Sequence, residues 1–569
     1  MKKQLLFAFS LVLAVLLSSC KDMGALDSSM FTCTPNPLEV KAGKVDATIT
    51  GKFPVKYFNK RAVVTVTPVL KFDGKEVKGT PVKFQGEKVK GNDKTIAFKA
   101  GGTYTMKASF DYVPEMAVSE LYLEFSVETK KKTYAIPAVK VADGVIATAT
   151  LATTNFGTDA ANGPVIIADR FQRVIQEKEE ASIRFLIQQS NLRPSETKSA
   201  EIVNLTKKIK EVQDAQNKAV AGFEISGYAS PDGAIELNTN LAEKRQKATS
   251  DFINKEMKKL KTTVEVDSKF TAEDWDGFQK LMESSNIQDK ELILRVLSMY
   301  PDPEQREREI KNLSVAFKAI ADDILPQLRR SRLTLTVDVT GKSDEEILGL
   351  AKSNPSGLSL EELLYAATLT QDLATKADFY TKATQLHSSC VRAFNNLAVV
   401  NYQQGNIDAA SKNIAKALEL NAGNADVNFN AGMLALAKKD IAGAEVYFGK
   451  AGGTNGNLKN ALGTVYIAKG EYDKARTSFG DAKTNNAALL QILNKDYSAA
   501  KNTLAAVAQP DGLTAYLSAI VAARTNDKDG VYSNLRNAVR ANAKCGAKAA
   551  KDIEFAKYFA DDTFKSIVK

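Results

Sequence analysis

The sequence predicts a multidomain protein with an N-terminal β-sandwich, a central α/β domain carrying a helical insertion, and a C-terminal all-α repeat solenoid. Three observations lead to this order. The chain has 569 residues, enough for three or four domains at about 150 residues each. Apolar and polar residues alternate from residue 31 to residue 152, which is typical of strands. Alanines recur every 34 residues near the C-terminus, a period typical of stacked helical repeats.

The N-terminus has the three parts of a secretory signal: Lys2 and Lys3, an apolar run from Leu5 to Leu17, and small residues before Cys20. Residues 17–20, Leu-Ser-Ser-Cys, resemble a bacterial lipobox. The resemblance implies that residues 1–19 are removed and that Cys20 becomes a lipid-bearing N-terminus, with palmitate among its acyl chains. Residues 20–30 would then be a linker from an outer-membrane anchor, on either the periplasmic or the surface face.

The composition excludes several classes of enzyme. His387 is the only histidine, and the cysteines Cys20, Cys33, Cys390 and Cys545 lie far apart. Zinc sites, histidine triads and Cys–His dyads each need partners that the chain lacks. The net charge of +10 is spread over short clusters without stacking aromatic residues. We therefore expect no catalytic residue, metal, cofactor or nucleic-acid partner.

Residues 31–152 are predicted to form the sandwich. The run at 62–67 alternates Val with Thr, and an Asp-Gly pair at 73–74 marks a hairpin turn. Strands of this length with frequent turns are typical of an immunoglobulin-like sandwich. Residues 153–164 are small, polar and turn-rich, which predicts a linker.

Residues 164–341 are predicted to form the α/β domain. Strands are expected at 181–187, 222–227, 263–270 and 332–339, and helices at 199–212 and 237–260. Between the last two strands lies a helical insertion at about 273–328, which contains Trp275, the only tryptophan.

One loop of this domain resembles the peptidoglycan-binding OmpA-like family. The residues that carry the resemblance are Gly227-Tyr228-Ala229-Ser230-Pro231-Asp232-Gly233, followed by Asn238, Leu241, Glu243 and Arg245. In that family a loop Asp receives the ammonium of diaminopimelate and a helix Arg receives its carboxylate. Arg245 matches the family Arg, but Ser230 stands at the Asp position and Asp232 lies two residues later. A weak peptidoglycan or anion site at Ser230, Asp232 and Arg245 is one hypothesis. The other is that Asp232 only shapes the turn, while Arg245 pairs with Glu243 or sits at the sheet edge.

Residues 342–569 are predicted to be helical repeats. Ala383, Ala417 and Ala451 recur at 34-residue intervals, and the small and apolar residues around them resemble tetratricopeptide repeats. The family implies a concave groove that binds polypeptide segments. The residues that the family phase places toward this groove are Arg392, Asn395, Val399, Tyr402, Asp426, Phe429, Met433, Leu436, Asn457, Asn460, Thr464 and Ile467. Either a protein partner covers the apolar ones, or helix packing or the neighbouring domain does.

These features predict a non-enzymatic lipoprotein anchored in the outer membrane, which acts as a scaffold or accessory subunit of an envelope assembly with protein partners. A cell-wall tether through the OmpA-like domain is the alternative. A glycan hydrolase is a further rival, which would require two carboxyl groups about 5 to 10 Å apart in a cleft.

Overall fold

The computed structural model describes residues 23–262, 264–312 and 314–569. The predicted signal segment and Cys20 lie outside these residues. The chain divides into two compact units: the residues up to Ala168 together with Thr370–Lys569, and Asp169–Leu369. In the described part of the chain, no helix combines the length and the apolar character needed to cross a membrane.

The N-terminal part of the first unit is β-rich. Its strands are β1 (Phe31–Thr34), β2 (Leu38–Lys41), β3 (Lys44–Phe53), β4 (Val63–Phe72), β5 (Lys75–Lys78), β6 (Val82–Gly86), β7 (Lys94–Ile96), β8 (Gly102–Asp111), β9 (Ser119–Glu128), β10 (Thr133–Asp143) and β11 (Val145–Ile146). One sheet has the order β1-β3-β2-β11 with β8 also on β3, and the other has β10-β9-β4-β6-β7 with β5 on β4. Most pairs are antiparallel, but β11 pairs with β2, and β7 with β6, in parallel.

One core lies between the two sheets. Val45 and Ile49 of β3 and Phe125 of β9 are fully or almost fully buried in it. Phe53 and Phe84 belong to an aromatic cluster, with their ring centroids 5.5 Å apart. The alternating burial along β3 and β8 explains why the sequence signal for strands was strong, because every second side chain enters this core.

The second unit contains a four-stranded sheet. Its strands are β12 (Val174–Arg184), β13 (Lys218–Tyr228), β14 (Val266–Thr271) and β15 (Arg330–Thr340), in the order β12-β15-β13-β14. Helices α1 (Pro194–Thr197), α2 (Ala200–Asp214) and α3 (Ile235–Lys259) connect the first three strands. Residues of α2 and α3, such as Ile209 and Ile253, share one core with Phe223 and Leu335 of the sheet. Helices therefore cover one face of the sheet.

The insertion before β15 is helical. It contains α4 (Trp275–Ser284), α5 (Lys290–Met299), α6 (Pro303–Asn312), α7 (Ser314–Ala319), a π-helical turn (Ile320–Ile324) and α8 (Leu325–Leu328). Phe278, Met282, Ile293 and Ile324 give it a core of its own.

Two further helices belong to this unit, although the sequence placed them with the repeats. They are α9 (Asp344–Ser353) and α10 (Leu360–Ala366). Arg173 pairs with Asp344, and the Phe171 ring stacks on the Tyr365 ring with the centroids 4.3 Å apart. These contacts fasten both helices to the chain that leads into β12.

The C-terminal part of the first unit is all-helical. Its helices are α11 (Leu373–Leu386), α12 (Val391–Gln403), α13 (Ile407–Leu420), α14 (Ala425–Ala437), α15 (Ile441–Gly449), α16 (Leu458–Ala468), α17 (Tyr472–Phe479), α18 (Asn485–Leu493), α19 (Tyr497–Ala505), α20 (Gly512–Arg524), α21 (Lys528–Ala541), α22 (Lys544–Ala549) and α23 (Asp562–Val568). Antiparallel pairs run from α12/α13 to α20/α21. A Cβ on Gly432 would lie 2.4 Å from the Phe448 ring, and one on Gly463 would lie 2.6 Å from the Phe479 ring. Paired helices therefore approach closely because the facing residue is glycine.

The last helices also contact the β-rich region. Arg524 of α20 holds Glu554 through two hydrogen bonds of 2.8 and 2.7 Å, and Thr148 donates a third to the same carboxylate. A Cβ on Gly144 would lie 2.2 Å from Ile553 Cδ1, so the Ile553 side chain packs on the Gly144 backbone where a second side chain would not fit. The sandwich and the end of the solenoid are thus packed into one unit.

Candidate functional site

The inner face of the solenoid holds a segment of the chain itself, residues 151–168, which we call the strap. Asn430 of α14 accepts the Val165 N–H at 2.8 Å and donates to the Val165 carbonyl at 2.8 Å. Asn396 of α12 makes the same two contacts with Ile167, both at 2.9 Å. Each asparagine therefore satisfies both main-chain polar groups of one strap residue.

The other end of the strap is held in the same way two repeats further on. Asn486 of α18 accepts the Thr153 N–H at 2.8 Å and donates to the Thr153 carbonyl at 2.9 Å. Phe156 lies back at the first of these repeats, because the hydroxyl of Tyr402 on α12 accepts its N–H at 2.9 Å. Burial raises the pKa of Tyr402 to about 12, so this phenol stays protonated at neutral pH.

Further amides connect these contacts into a network. Asn395 donates to the Val165 carbonyl at 3.1 Å and accepts from Asn430 at 2.8 Å. Asn460 of α16 donates to the side chain of Asn162 at 3.0 Å. Asn395 is completely buried and Asn460 almost so. Buried amides must be hydrogen-bonded to avoid a desolvation cost, and here the strap provides their partners.

Apolar strap residues fill the space between the amides. Phe156 and Val165 pack on a cluster that includes Phe429, Met433 and Leu436 of α14. Ile167 packs on a second cluster around Tyr402. The intervening Ile166 is 39% exposed, so the stretch 165–167 is extended, with alternate residues facing the helices.

The structure thus locates the residues that the sequence placed in the groove. Asn395, Tyr402, Phe429, Met433, Leu436, Asn460 and Ile467 are all buried, and Arg392 is half-buried. Packing among the helices and contact with the strap bury the apolar ones. Contact between these residues and an outside partner stays a prediction. Residues 153–164, expected to be a linker, form most of the strap.

The three clasping asparagines, Asn396, Asn430 and Asn486, were not singled out from the sequence. A signal was present, since Asn396, Asn430 and Thr464 are spaced by the 34-residue period. Thr464 accepts from Asn486 at 2.9 Å and so belongs to the same network. Polar residues repeating at one inner position indicate a polar ligand along the groove.

Arg245, the residue matching the OmpA-like family, is only 1% exposed. Its Nε, Nη1 and Nη2 donate to the carbonyls of Gln189, Tyr228 and Leu186 at 3.0, 2.9 and 3.3 Å. Burial, followed by the neighbouring Arg329, lowers the pKa of Arg245 to about 10. Arg245 therefore ties the segment after β12 to the end of β13, and it neither pairs with Glu243 nor lies at the sheet edge.

Ser230 and Asp232 lie together in the loop after β13. Ser230 donates to Asp232, and Arg329 donates to both, from Nε to Ser230 at 3.2 Å and from Nη2 to Asp232 at 3.0 Å. The Asp232 carboxylate is thus already paired with a cation from the same chain. A diaminopimelate ammonium would have to compete with Arg329 for it.

Cys33, Cys390 and Cys545 are free thiols. Over residues 23–262, 264–312 and 314–569, no group of three metal-binding side chains comes together.

The tetratricopeptide repeat family model matches residues 391–424. This stretch is a tetratricopeptide repeat. It comprises α12 and α13, including the clasping Asn396. No curated protein matches the chain.

Solved structures similar to this chain include a tetratricopeptide repeat protein from Parabacteroides merdae, with 14% identity and a TM-score of 0.30, covering 46% of this chain and 96% of that one. Pseudomonas aeruginosa pilF has 18% identity and a TM-score of 0.28, with coverages of 39% and 100%. Yeast Tom70 has 13% identity and a TM-score of 0.27, with coverages of 64% and 88%. With TM-scores this far below 0.5, the similarities carry no information about function.

Proposed function

We propose that this chain is a non-enzymatic scaffold of the bacterial envelope, anchored in the outer membrane through lipid on Cys20. Its solenoid groove is the part that binds polypeptide. The central domain, proposed to be OmpA-like, and the sandwich act as further modules of the scaffold.

The observation that carries this proposal is the chemistry of the inner face. Asn396, Asn430 and Asn486 present paired donors and acceptors to the main chain of an extended segment. Such contacts can bind any extended polypeptide whatever its side chains, because every residue except proline carries the same main-chain N–H and C=O. The residues that line the face hold a chain in place.

The experiment is a comparison of the parent chain with Cys20→Ala in its native host. The parent should fractionate with the outer membrane, and chemical cross-linking followed by affinity purification should recover a defined protein partner. Cys20→Ala should move to the soluble fraction, since lipid would be its attachment. Unchanged fractionation of the variant would contradict the anchor, and a parent that purifies alone after cross-linking would contradict the scaffold.

The peptidoglycan tether is less well supported. The guanidinium of Arg245 donates to main-chain carbonyls, and Arg329 already forms an ion pair with Asp232. We expect the chain to sediment poorly with purified sacculi. Strong sedimentation that is enhanced by Arg329→Ala, which frees Asp232, would favour the tether instead.

A further inference from the structure

We propose that the strap is a displaceable internal ligand, which closes the groove until an extended polypeptide segment of a partner replaces it. This inference rests on the proposed function, because it specifies what the scaffold's groove binds and what keeps the groove closed.

Replacing the strap by a partner segment conserves hydrogen bonds. The hydrogen bonds of Asn396 and Asn430 to the strap go only to the main chain of Ile167 and Val165. A partner segment in the same extended conformation offers the same groups, so neither the asparagines nor the strap loses bonding, provided that water solvates the released strap. Each such hydrogen bond contributes only about 0.5–1.5 kcal/mol to the net free energy of strap binding, so these bonds do not prevent the strap from leaving the groove.

The strap contacts the groove near its two ends and not in its middle. The groove contacts lie toward its two ends, at Thr153–Phe156 and at Asn162–Ile167. Between them, Thr158, Ala160 and Ala161 are exposed. Their turn is held locally, by hydrogen bonds from Ala161 and Asn162 to Asp159. Each end can therefore leave the groove without first unfolding a helix.

The side chains that a partner segment should carry follow from the strap residues that enter the groove. Val165 and Ile167 enter beside Asn430 and Asn396, Phe156 packs on the same cluster as Val165, and Ile166 points outward. The partner segment should therefore be extended and uncharged there, with aliphatic residues at alternate positions. A folded helix would not fit, because its N–H and C=O groups are already paired internally.

The attachment of the strap at both ends makes it a strong competitor. A tethered ligand has an effective concentration on the order of millimolar, so an untethered segment with the same contacts would bind the intact chain weakly. Weakening the strap should therefore raise the affinity for an outside segment without any change in the groove itself.

The test uses a fluorescein-labelled synthetic peptide with the sequence of residues 151–168, measured by fluorescence polarisation. The full-length parent is compared with a full-length variant whose residues 153–167 are replaced by an equally long Gly-Ser stretch. The variant should bind the peptide at least about tenfold more tightly than the parent. Adding Asn396→Ala and Asn430→Ala to the variant should weaken binding at least about tenfold, and a peptide with Val165→Asp and Ile167→Asp should not bind.

Equal binding to the parent and the variant, or no binding to a variant with native circular dichroism, would overturn the inference. If the replacement prevents folding, the inference is tested instead by hydrogen exchange of the parent chain. The amides of Val165 and Ile167 should then exchange at least about tenfold faster than the slowest amides of α14. Exchange of the strap only together with α14 would show that it is a permanent part of the solenoid core. Neither readout depends on the membrane or on a native partner, so a failure here is distinguishable from a failure of the scaffold proposal.

Discussion

The substitution Asn430→Ala removes one of the asparagines that hold the strap in the groove. Its side chain makes three hydrogen bonds of 2.8 Å, two with Val165 and one with Asn395. After truncation the Val165 carbonyl keeps a donor, because Asn395 also reaches it at 3.1 Å. The Val165 N–H and the Asn395 side-chain oxygen lose their partners.

The cost can be worked from these two groups. A buried polar group left without a partner costs about 1–3 kcal/mol, so the two groups together cost about 2–6 kcal/mol, which weakens the contact between strap and groove. Because every 1.4 kcal/mol is a factor of about ten in an equilibrium, even the lower figure makes opening of the strap roughly 30-fold more frequent.

The assay is hydrogen exchange with mass spectrometry on the full chain, following the peptide that contains Val165 and Ile167. Exchange there should accelerate by at least about tenfold in Asn430→Ala. The matched control is Asn413→Ala on α13, whose side chain donates only to Ala409 of its own helix, at 3.1 Å. Unchanged exchange in Asn430→Ala, or equal acceleration in the control, would refute the clasping role of Asn430.

Three other predictions follow from buried groups. Arg245→Met should destabilise the second unit by about 3 kcal/mol or more, because three carbonyls each lose a hydrogen bond from the guanidinium, whereas the exposed Glu243→Ala should have almost no effect. Urea unfolding followed by tryptophan fluorescence measures this, and equal midpoints would contradict it. Arg524→Met should lower the melting temperature seen by circular dichroism, since the side chain of Glu554 is 3% exposed and would be left without its cation, at a cost of about 3–5 kcal/mol. An unchanged melt would show that the pair is dispensable. Burial raises the pKa of Cys33 to about 11, so its thiolate is scarce at pH 8 and alkylation of the native chain should be much slower there than at the two half-buried cysteines. Preferential labelling of Cys33 would contradict its burial.

The repeat architecture could be predicted from sequence because its determinants are local and periodic. Ala383, Ala417 and Ala451 are all fully buried at equivalent places, and Gly432 and Gly463 face phenylalanine rings as helix packing requires. The alternation along β3 and β8 likewise records which face of a strand is buried. In each case the pattern lies within a few tens of residues.

The occupant of the groove could not be predicted in this way. The contact between Val165 and Asn430 spans 265 positions, and a stretch of small polar residues reads as a linker unless its binding surface is known. Arg245 shows the same limit. Its position matched a family motif, but the three carbonyls that accept its hydrogen bonds belong to other segments of the chain. The sequence around Arg245 therefore could not predict these contacts.

The most direct test of the strap in its groove is photo-cross-linking from position 156. Phe156 is replaced by p-benzoylphenylalanine, which keeps the aromatic ring, and the purified full chain is irradiated and analysed by mass spectrometry. Because Phe156 packs on the cluster of Phe429, Met433 and Leu436, the products should be intramolecular cross-links to α14 and to neighbouring inner helices. Cross-links to other surfaces of the chain, or only between separate molecules, would contradict the account.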